Sequence, residues 1–319
     1  MELLKVIVKI SFAPVLLAAT TFASAAQLST DARSAIPHDV QQLVVIDYRA
    51  MQNSPSAMEL RNRVMPPELK QFEDALLKSG LNDNHDVDDL AFALFRTSAS
   101  GDDLDTVGIA QGQFSVQDIV ANFRKQKIKP VQLRTNNIYP LGKSGMVLCF
   151  VDPSTMVFGG KDAVTKALDA RDGLASSMLT NQSMMSAMQT VDSAALWSIL
   201  DEKGTQTMMR QVLGEAGSVT DFDAVRKRLQ ASWYSMDFEH GVKFDLTIST
   251  GDTFAAATMS SLLTAAVMVR KMSSTDAEKQ ALSDTTIASN SGQLSVQFAA
   301  SDAEFSSLLQ SPLFKSMVR

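Results

Sequence analysis

The densest group of potential metal ligands is the acidic segment Asn82–Asp89, with the sequence NDNHDVDD. Carboxylate and amide oxygens are the ligands that Ca²⁺ prefers. An EF-hand loop that began at Asn84 would also need a glycine in place of Asp89 and a glutamate in place of Phe95. Because both are missing, we interpret the segment as a solvated loop that leads into a strand. A weaker hypothesis is that Ca²⁺ binds through Asp83, Asp86, Asp88 and Asp89.

The segment Gly142-Lys143-Ser144 contains the last three residues of a phosphate-binding loop. That motif needs a glycine at the position of Asn137 and a helix directly after the serine, whose backbone amides meet the phosphates. Here a strand is predicted over Met146–Val151. We therefore interpret the segment as a hairpin turn.

Four methionines lie close together in the sequence, and thioether sulfurs favour Cu(I). Three of them, Met184, Met185 and Met188, share one face of a predicted helix, and Met178 precedes it. Methionine on one helical face is typical of adaptable core packing. With no histidine or cysteine beside them, core packing is the preferred interpretation.

The chain offers little for nucleophilic catalysis. Its three histidines, His38, His85 and His240, all lie in turn-like or loop surroundings, and His240 precedes Gly241 in a tight turn. The sequence contains neither a G-x-S-x-G nor an H-E-x-x-H motif. We predict no catalytic and no cofactor-binding residue and no cofactor, and we leave a metal site open.

The N-terminus has the pattern of a cleaved secretory signal. Lys5 and Lys9 lie at the start of a short apolar run over Ile10–Ala19, and small residues follow at Ala23–Ala26. The run is shorter than the roughly 20 residues of a membrane-spanning helix. We predict cleavage after Ala25, with Ala26 as the alternative position and a retained anchor as the other interpretation. The mature protein would then be periplasmic or secreted.

The charge of the mature chain excludes one class of partner. Removal of Lys5, Lys9 and Glu2 with the signal leaves 27 basic and 34 acidic residues, a net charge of −7. Nucleic-acid binding needs clustered Lys and Arg against phosphates, so we expect no nucleic-acid partner. The single cysteine, Cys149, lies in an apolar run and is expected to behave as a small buried hydrophobe.

Two stretches, Asp105–Gln126 and Val242–Met272, repeat one pattern of a strand, a polar break and a helix that ends in basic residues. The pattern predicts an α+β fold of two similar halves. Each half would be a mainly antiparallel sheet with helices packed on one face, in a ferredoxin-like order. We place the signal at residues 1–25, the first unit at 26–172, a helical connector at 173–190 and the second unit at 191–319.

Helix start signals set several boundaries within these units. Ser54 before Pro55 marks one start, and capping boxes are predicted at Ser115 with Asp118, Thr220 with Asp223 and Ser301 with Glu304. The helix Thr253–Met272 has no charge between Asp252 and Arg270. A membrane span is one interpretation of that helix. Its many alanine, serine and threonine residues favour the other, a buried helix packed on a sheet, so we expect no transmembrane segment in the mature chain.

Several stretches between Leu43 and Ala170 carry a resemblance to known sequences. They are LVVIDYRAM, GLNDNHDVDDLAFAL, VGIAQGQFSVQDIVANF and YPLGKSGMVLCFVDPSTMVFGGKDAVTKALDA. In them the chain resembles a group of exported proteins of unknown function from Gram-negative, soil-type bacteria with a duplicated α+β unit. The second half matches that group only in the order of its elements. The resemblance implies export and duplication, and it carries no ligand or catalytic residue onto this sequence.

These observations lead to two hypotheses about function. The first is a non-catalytic, exported protein that binds an envelope protein or a small ligand, or is otherwise associated with the envelope. The alternative is a periplasmic hydrolase whose site is assembled between the two halves. The hydrolase hypothesis requires His85 and His240 to lie close together in space.

Overall fold

A computed structural model describes residues 26–97, 103–142, 145–213, 222–238, 241–312 and 314 of the chain. Its described strands form one sheet of twelve strands in the order β11-β12-β10-β9-β8-β1-β2-β3-β7-β6-β5-β4. Neighbouring strands pair antiparallel. The α+β class is confirmed, and the two predicted halves share a single sheet.

The first half contains the following elements in chain order: α1 (Thr30–Ser34), β1 (Val40–Asp47), α2 (Tyr48–Gln52), α3 (Pro55–Val64), α4 (Pro67–Lys78), α5 (Asp83–Asp86), β2 (Val87–Arg96), β3 (Leu104–Gly112), α6 (Val116–Lys125), β4 (Val131–Leu133), β5 (Asn136–Pro140), β6 (Met146–Asp152), β7 (Thr155–Gly160) and α7 (Lys161–Arg171). A 3-10 turn at Met178–Thr180 and helix α8 (Gln182–Met188) occupy the predicted connector.

The second half continues with the following elements: β8 (Leu196–Leu200), α9 (Glu202–Leu213), α10 (Phe222–Arg226), β9 (Leu229–Asp237), β10 (Val242–Thr250), α11 (Thr253–Met272), α12 (Asp276–Ser283), β11 (Thr286–Asn290), β12 (Gln293–Ala300) and α13 (Asp302–Leu309).

The two halves join where β1 pairs with β8. Ile46 lies opposite Leu196, and Leu43 lies opposite Ile199. Near the end of this junction the guanidinium of Arg96 on β2 forms an ion pair with Asp201, directly after β8. Backbone pairing and a half-buried charge pair therefore hold the halves together.

Helices cover both faces of the sheet in the first half, which corrects the prediction of helices on one face. Successive strand residues point to opposite faces. Leu43 and Val45 pack with α7 and α8 in one core layer. Phe72 and Phe123, from α4 and α6, pack on the opposite face in a second layer. The apolar residues of the strands are buried on both sides, so each face needs its own helices.

In the second half, helices α9, α11 and α13 pack on one face, around Met208, Met259 and Phe305. This is the same face that α4 and α6 cover in the first half, because Ile46 packs in this layer and lies opposite Leu90 of β2. The other face of β10 and β12 carries polar residues that reach solvent. An example is Asp245, whose Oδ1 accepts a hydrogen bond of 2.7 Å from Gln297 Nε2.

The order of strands is similar in both halves but is not that of a split β-α-β unit. Reading outward from the junction, the first half gives β1-β2-β3-β7-β6-β5-β4 and the second gives β8-β9-β10-β12-β11. The five strands of the second half match the first five of the first half, which has β5 and β4 in addition. In a ferredoxin-like order, each half would contain neighbouring strands that run parallel. All pairs between described strands are antiparallel, so that part of the prediction differs from the structure.

Some helix start signals are confirmed and others are not. Ser54 Oγ accepts from Ala57 N at 3.1 Å and caps α3. Ser301 and Glu304 form the predicted capping box of α13. Ser115 stands at the start of α6 without a hydrogen bond from its side chain to the helix, so the capping box predicted there is wrong. Thr220 lies outside the described residues, and Asp223 lies within α10, where its side chain is not described.

Candidate functional site

The acidic segment is more structured than the predicted loop. Residues Asp83–Asp86 form the short helix α5, and β2 starts at Val87. Asp86 Oδ2 accepts a hydrogen bond of 2.8 Å from Asn82 N, which closes this helical turn. The Asp88 carboxylate forms an ion pair with Arg49, and Asp89 contacts Gln111. These carboxylates therefore make separate contacts. Within the described ranges, no group of three or more His, Cys, Asp and Glu residues could hold a metal ion.

Three polar side chains form a row across the end of the sheet. Asp47 of β1 lies opposite Asp89 of β2, and Asp89 lies opposite Gln111 of β3. Directly opposed residues of an antiparallel sheet project from the same face. Two carboxyl groups and one amide are therefore neighbours, although they are far apart in the sequence.

The electrostatics of this row are unusual. The pKa of Asp89 is raised to about 7, first by burial and then by the neighbouring Asp47 carboxylate. The charge of Asp88 adds to the rise, whereas the hydrogen bond from Gln111 and the charge of Arg49 oppose it. Asp47 is 3% exposed. Its Oδ1 accepts from Ala50 N at 2.7 Å, at the start of α2, whereas its buried Oδ2 has no hydrogen-bond partner among the described residues. This end of the sheet thus holds a buried, incompletely satisfied carboxylate beside a carboxyl group that titrates near neutral pH.

An open cleft of about 740 Å³ lies near the same end of the sheet. Its lining comes from the first half only: Arg49, His85, Asp86, Gly112, Gln113, Phe114, Ser115, Pro153 and Ser154. The His85 side chain is 87% exposed, and its Nδ1 lies 3.3 Å from Asp86 Oδ1. Ser154 Oγ donates to Asp152 Oδ1 at 2.7 Å. An imidazole in solvent and a serine bonded to a carboxylate do not form a nucleophile–base pair.

The remaining histidines do not join this cleft as far as the chain is described. His38 lies next to Asp39, with 3.2 Å between Nδ1 and Oδ1, and its side chain is largely in solvent. His240 lies outside the described residues, as do Lys143 and Ser144 of the glycine-lysine-serine segment. The predicted proximity of His85 and His240 therefore stays a prediction.

The methionine and cysteine predictions are confirmed. Met178, Met184 and Met188 are buried in the core layer under α7. Cys149 is buried in the same layer, and burial raises the pKa of its thiol to about 11. These sulfurs serve packing.

The most unusual surface of the molecule is the outer side of α11. The helix contacts the second half through Ala255, Met259 and Leu263, which are buried. At 100° per residue, the exposed residues of α11 form a stripe roughly opposite the buried side, with Val269 toward its edge. This stripe, the outer face of α11, consists of Phe254, Ala257, Ser261, Ala265, Met268, Val269 and Met272. Phe254 is 71% exposed and Met272 is 80% exposed.

The hydroxyl groups near this stripe are satisfied within the helix. Thr258 Oγ1 donates to Phe254 O at 2.9 Å, Ser261 Oγ to Ala257 O at 3.1 Å, and Thr264 Oγ1 to Ser260 O at 2.8 Å. A hydroxyl that already donates loses less free energy when water is removed from it. The outer face of α11 is therefore more apolar than its sequence indicates.

The prediction that Thr253–Met272 packs on the sheet is confirmed, but the burial predicted for this helix is wrong. In the described part of the chain, α11 alone has the length and apolar composition to cross a membrane, with a mean hydropathy of 1.3 over its most apolar window. Only 22% of that window is buried. The helix lies along one side of the sheet, so one half of its circumference packs and the other half faces outward.

Comparison with known proteins gives a fold and no family. No family model matches the chain, and no curated protein matches it. Crystal form I of the treponemal protein TP0453 has a TM-score of 0.50 at 10% identity, over 87% of this chain and 95% of that one. Crystal form III of TP0453 has a TM-score of 0.46 at 10% identity, over 89% of this chain and 99% of that one. At such low identity the first likeness shows a shared fold alone.

Sequence reasoning missed two of the features described above. Asp47 and Gln111 gave no local signal, because their proximity to Asp89 arises from strand register between distant segments. For α11 a signal existed in the uncharged stretch between Asp252 and Arg270. This signal alone does not distinguish a buried helix from an exposed one, because the sequence does not tell which side of an evenly apolar helix meets the sheet.

Proposed function

We propose that the protein is a non-catalytic, exported binding protein that attaches to a lipid surface of the cell envelope through the outer face of α11. The observation that carries this proposal is the exposure of Phe254, Met268, Val269 and Met272 on a helix without charge between Asp252 and Arg270. A contiguous exposed apolar surface marks an interaction site. Export is part of the proposal and is supported by the signal-like residues 1–25.

The size of the outer face favours a lipid surface over a second protein. A helix of 20 residues is about 30 Å long, and a stripe about 10 Å wide on it covers roughly 300 Å². A stable protein interface needs about 800 Å² on each partner. A helix that lies in a membrane interface needs only its own apolar side, which enters the boundary between headgroups and acyl chains.

The charges at the end of α11 support the same partner. Arg270 and Lys271 lie in its last turn, next to Met268 and Met272. Basic residues beside an apolar face attract anionic headgroups, by about 1 kcal/mol for each residue near the surface. The arrangement combines an apolar stripe with cations at one end.

Flotation with vesicles of phosphatidylglycerol and phosphatidylethanolamine tests the proposal on the protein purified after export. Met268→Asp and Met272→Asp are made separately, because both side chains are exposed and neither variant disturbs the core. Burial of a methionine contributes about 1.5–3 kcal/mol, so each substitution should weaken vesicle binding at least about tenfold. The matched control is Leu174→Asp, a residue 63% exposed that follows α7 on the opposite face of the sheet, and it should bind as the unmodified protein does.

Two results would contradict the proposal. One is equal flotation of all three variants and the unmodified protein. The other is a dimer in the absence of lipid that Met268→Asp dissociates, because the outer face would then be an interface between two copies of the chain.

The alternative, a hydrolase site between the halves, has less support. The cleft that holds His85 is lined by residues of the first half and does not lie at the junction of β1 and β8. A hydrolase would also need a base held in place, and His85 is in solvent.

We also propose that the two halves arose by duplication of one α+β unit. In support, the five strands of the second half match the order of the first five strands of the first half, read outward from the junction. The third strand of each half leads into a helix, α6 or α11, and the last strand in the chain leads into α7 or α13. The first half has the hairpin β4–β5 in addition. Because β1 then meets its own counterpart in β8, the isolated first half should dimerise through β1. A strictly monomeric, folded first half would count against the proposal.

A further inference from the structure

Two methionines on the outer face of α11 place their sulfur atoms where solutes can reach them. Met268 is 63% exposed and Met272 is 80% exposed, and they lie one helical turn apart. The methionines of the core layers differ sharply, since Met178, Met208 and Met259 are at most 2% exposed. In the described part of the chain, a solute that oxidises thioethers therefore meets Met268 and Met272 first.

The cysteine of the chain does not compete for such an oxidant. Cys149 is 1% exposed, and burial raises the pKa of its thiol to about 11. Peroxides react with the thiolate of an accessible cysteine, and at neutral pH this thiol is almost entirely protonated. The sulfur chemistry available to the native protein thus falls on exposed methionines.

Met268 and Met272 also make up half of the large apolar side chains on the outer face of α11, beside Phe254 and Val269. They lie at the end of the helix that carries Arg270 and Lys271. Oxidation turns the flexible, apolar side chain of methionine into a polar one that carries a sulfoxide oxygen. Oxidation of both residues would therefore remove the apolar character of this end of the stripe while the cations remain.

We propose that Met268 and Met272 are modification sites, and that their oxidation by a peroxide releases the protein from the lipid surface. The inference rests on the proposed function of the outer face of α11. In the step, the sulfur lone pair attacks one oxygen of hydrogen peroxide, the O–O bond breaks and an S–O bond forms. One proton moves to the departing oxygen, which leaves as water. The thioether loses two electrons and the peroxide gains them, so each sulfoxide consumes one peroxide.

The exposure of these side chains confines the effect to the surface. A sulfoxide in the core would place an unsatisfied polar group among apolar side chains, which destabilises a fold. At Met268 and Met272 the new oxygen projects into water, so the folded state should keep its stability. Insertion into lipid would instead remove water from that oxygen, and each sulfoxide should weaken vesicle binding about tenfold.

Hydrogen peroxide treatment of the protein purified after export tests the proposal. Peptide mass spectrometry measures oxidation of each methionine over time, and flotation with vesicles of phosphatidylglycerol and phosphatidylethanolamine measures binding. We expect Met268 and Met272 to be oxidised before Met178 and Met259, and binding to fall about a hundredfold when both are sulfoxides. Thermal unfolding should be unchanged at that stage. Methionine sulfoxide reductases A and B with dithiothreitol, which reduce the two sulfoxide epimers, should restore binding.

A double variant separates oxidation of the outer face from oxidation elsewhere. Met268→Leu with Met272→Leu keeps two apolar side chains that peroxide does not oxidise, so it should bind vesicles before treatment and still bind after it. The matched control is Met58→Leu with Met65→Leu, two half-buried methionines at α3 and directly after it. This control should lose binding on oxidation as the unmodified protein does.

Three results would overturn the inference while the proposed function stands. The first is equal flotation of the unmodified protein before and after oxidation of Met268 and Met272. The second is an equal loss of binding in Met268→Leu with Met272→Leu. The third is oxidation of Met178 and Met259 as fast as that of Met268 and Met272. Failure of the untreated protein to float is a different outcome, because it overturns the proposed function and this inference with it.

Discussion

The stability of the protein should decrease as the pH rises from 5 to 8, because of Asp89. In the folded state burial and Asp47 raise the pKa of Asp89 to about 7, whereas an aspartate in an unfolded chain has a pKa of about 3.9. Between these values the folded state binds more protons than the unfolded state, so the free energy of unfolding falls with increasing pH. The stabilisation is complete below about pH 4 and is lost as the pH passes through about 7.

The magnitude follows from the size of the pKa difference. Three pKa units at 1.36 kcal/mol each give about 4 kcal/mol. Asp89 is partly exposed, and solvent screening lowers this figure to roughly 2–4 kcal/mol. This is a large part of the 5–15 kcal/mol by which a folded domain is stable.

Urea unfolding at pH 5 and pH 8 measures the effect, with Asp89→Asn as the comparison. The variant cannot ionise at this position, so its free energy of unfolding should change less between the two pH values. About two of the three pKa units lie between pH 5 and pH 7, so the difference should be roughly 1–3 kcal/mol after solvent screening. The other titratable groups are the same in both proteins, so their contributions cancel in the difference. Asp88→Asn should retain the behaviour of the unmodified protein. An identical pH dependence in the unmodified protein and in Asp89→Asn would show that ionisation of Asp89 does not control the stability.

Two further predictions concern the first half of the chain. Because the pKa of the Cys149 thiol is about 11, only about one thousandth of it is ionised at pH 8. A thiol reagent should therefore react slowly with the native protein and fully after denaturation. Rapid reaction of the native protein would contradict the burial of Cys149. Gly112→Ala should destabilise the protein by about 3 kcal/mol in thermal unfolding, because its Cβ would lie 1.9 Å from the carbonyl oxygen of Asp86. Gly160→Ala is the control, since a Cβ there meets nothing within 4 Å, and equal effects of the two substitutions would argue against the close approach of α5 to β3.

Much of the local structure was predictable, because its signals lie within a few residues of one another. Ser54 before Pro55 and Ser301 with Glu304 set the starts of α3 and α13. The strand and the helix predicted within Val242–Met272 correspond to β10 and α11. Capping and alternation are local physical preferences, so a single sequence contains them.

The tertiary arrangement was less predictable, because it depends on contacts between distant residues. Asp47, Asp89 and Gln111 meet through the register of three strands, and no spacing in the sequence indicates that register. Helices cover both faces of the first half because its strands bury apolar residues on both sides, as Val157 and Phe158 of β7 do. The exposure of α11 depends on which side of an evenly apolar helix meets the sheet.

Fluorescence quenching by brominated lipids tests directly whether the outer face of α11 enters a lipid surface. In a Phe254→Trp variant the new indole replaces a side chain that is 71% exposed on the outer face of α11. Of the two natural tryptophans, Trp197 is fully buried and Trp233 packs, partly buried, against the core layer on the opposite face of the sheet, and the unmodified protein gives their background. An interfacial helix places its apolar side about 5–10 Å into the headgroup and acyl boundary. We expect strong quenching of this variant on anionic vesicles and little added quenching for Leu174→Trp, on the opposite face of the sheet. Equal quenching of the two variants, or none for Phe254→Trp on vesicles that bind the protein, would contradict this expectation.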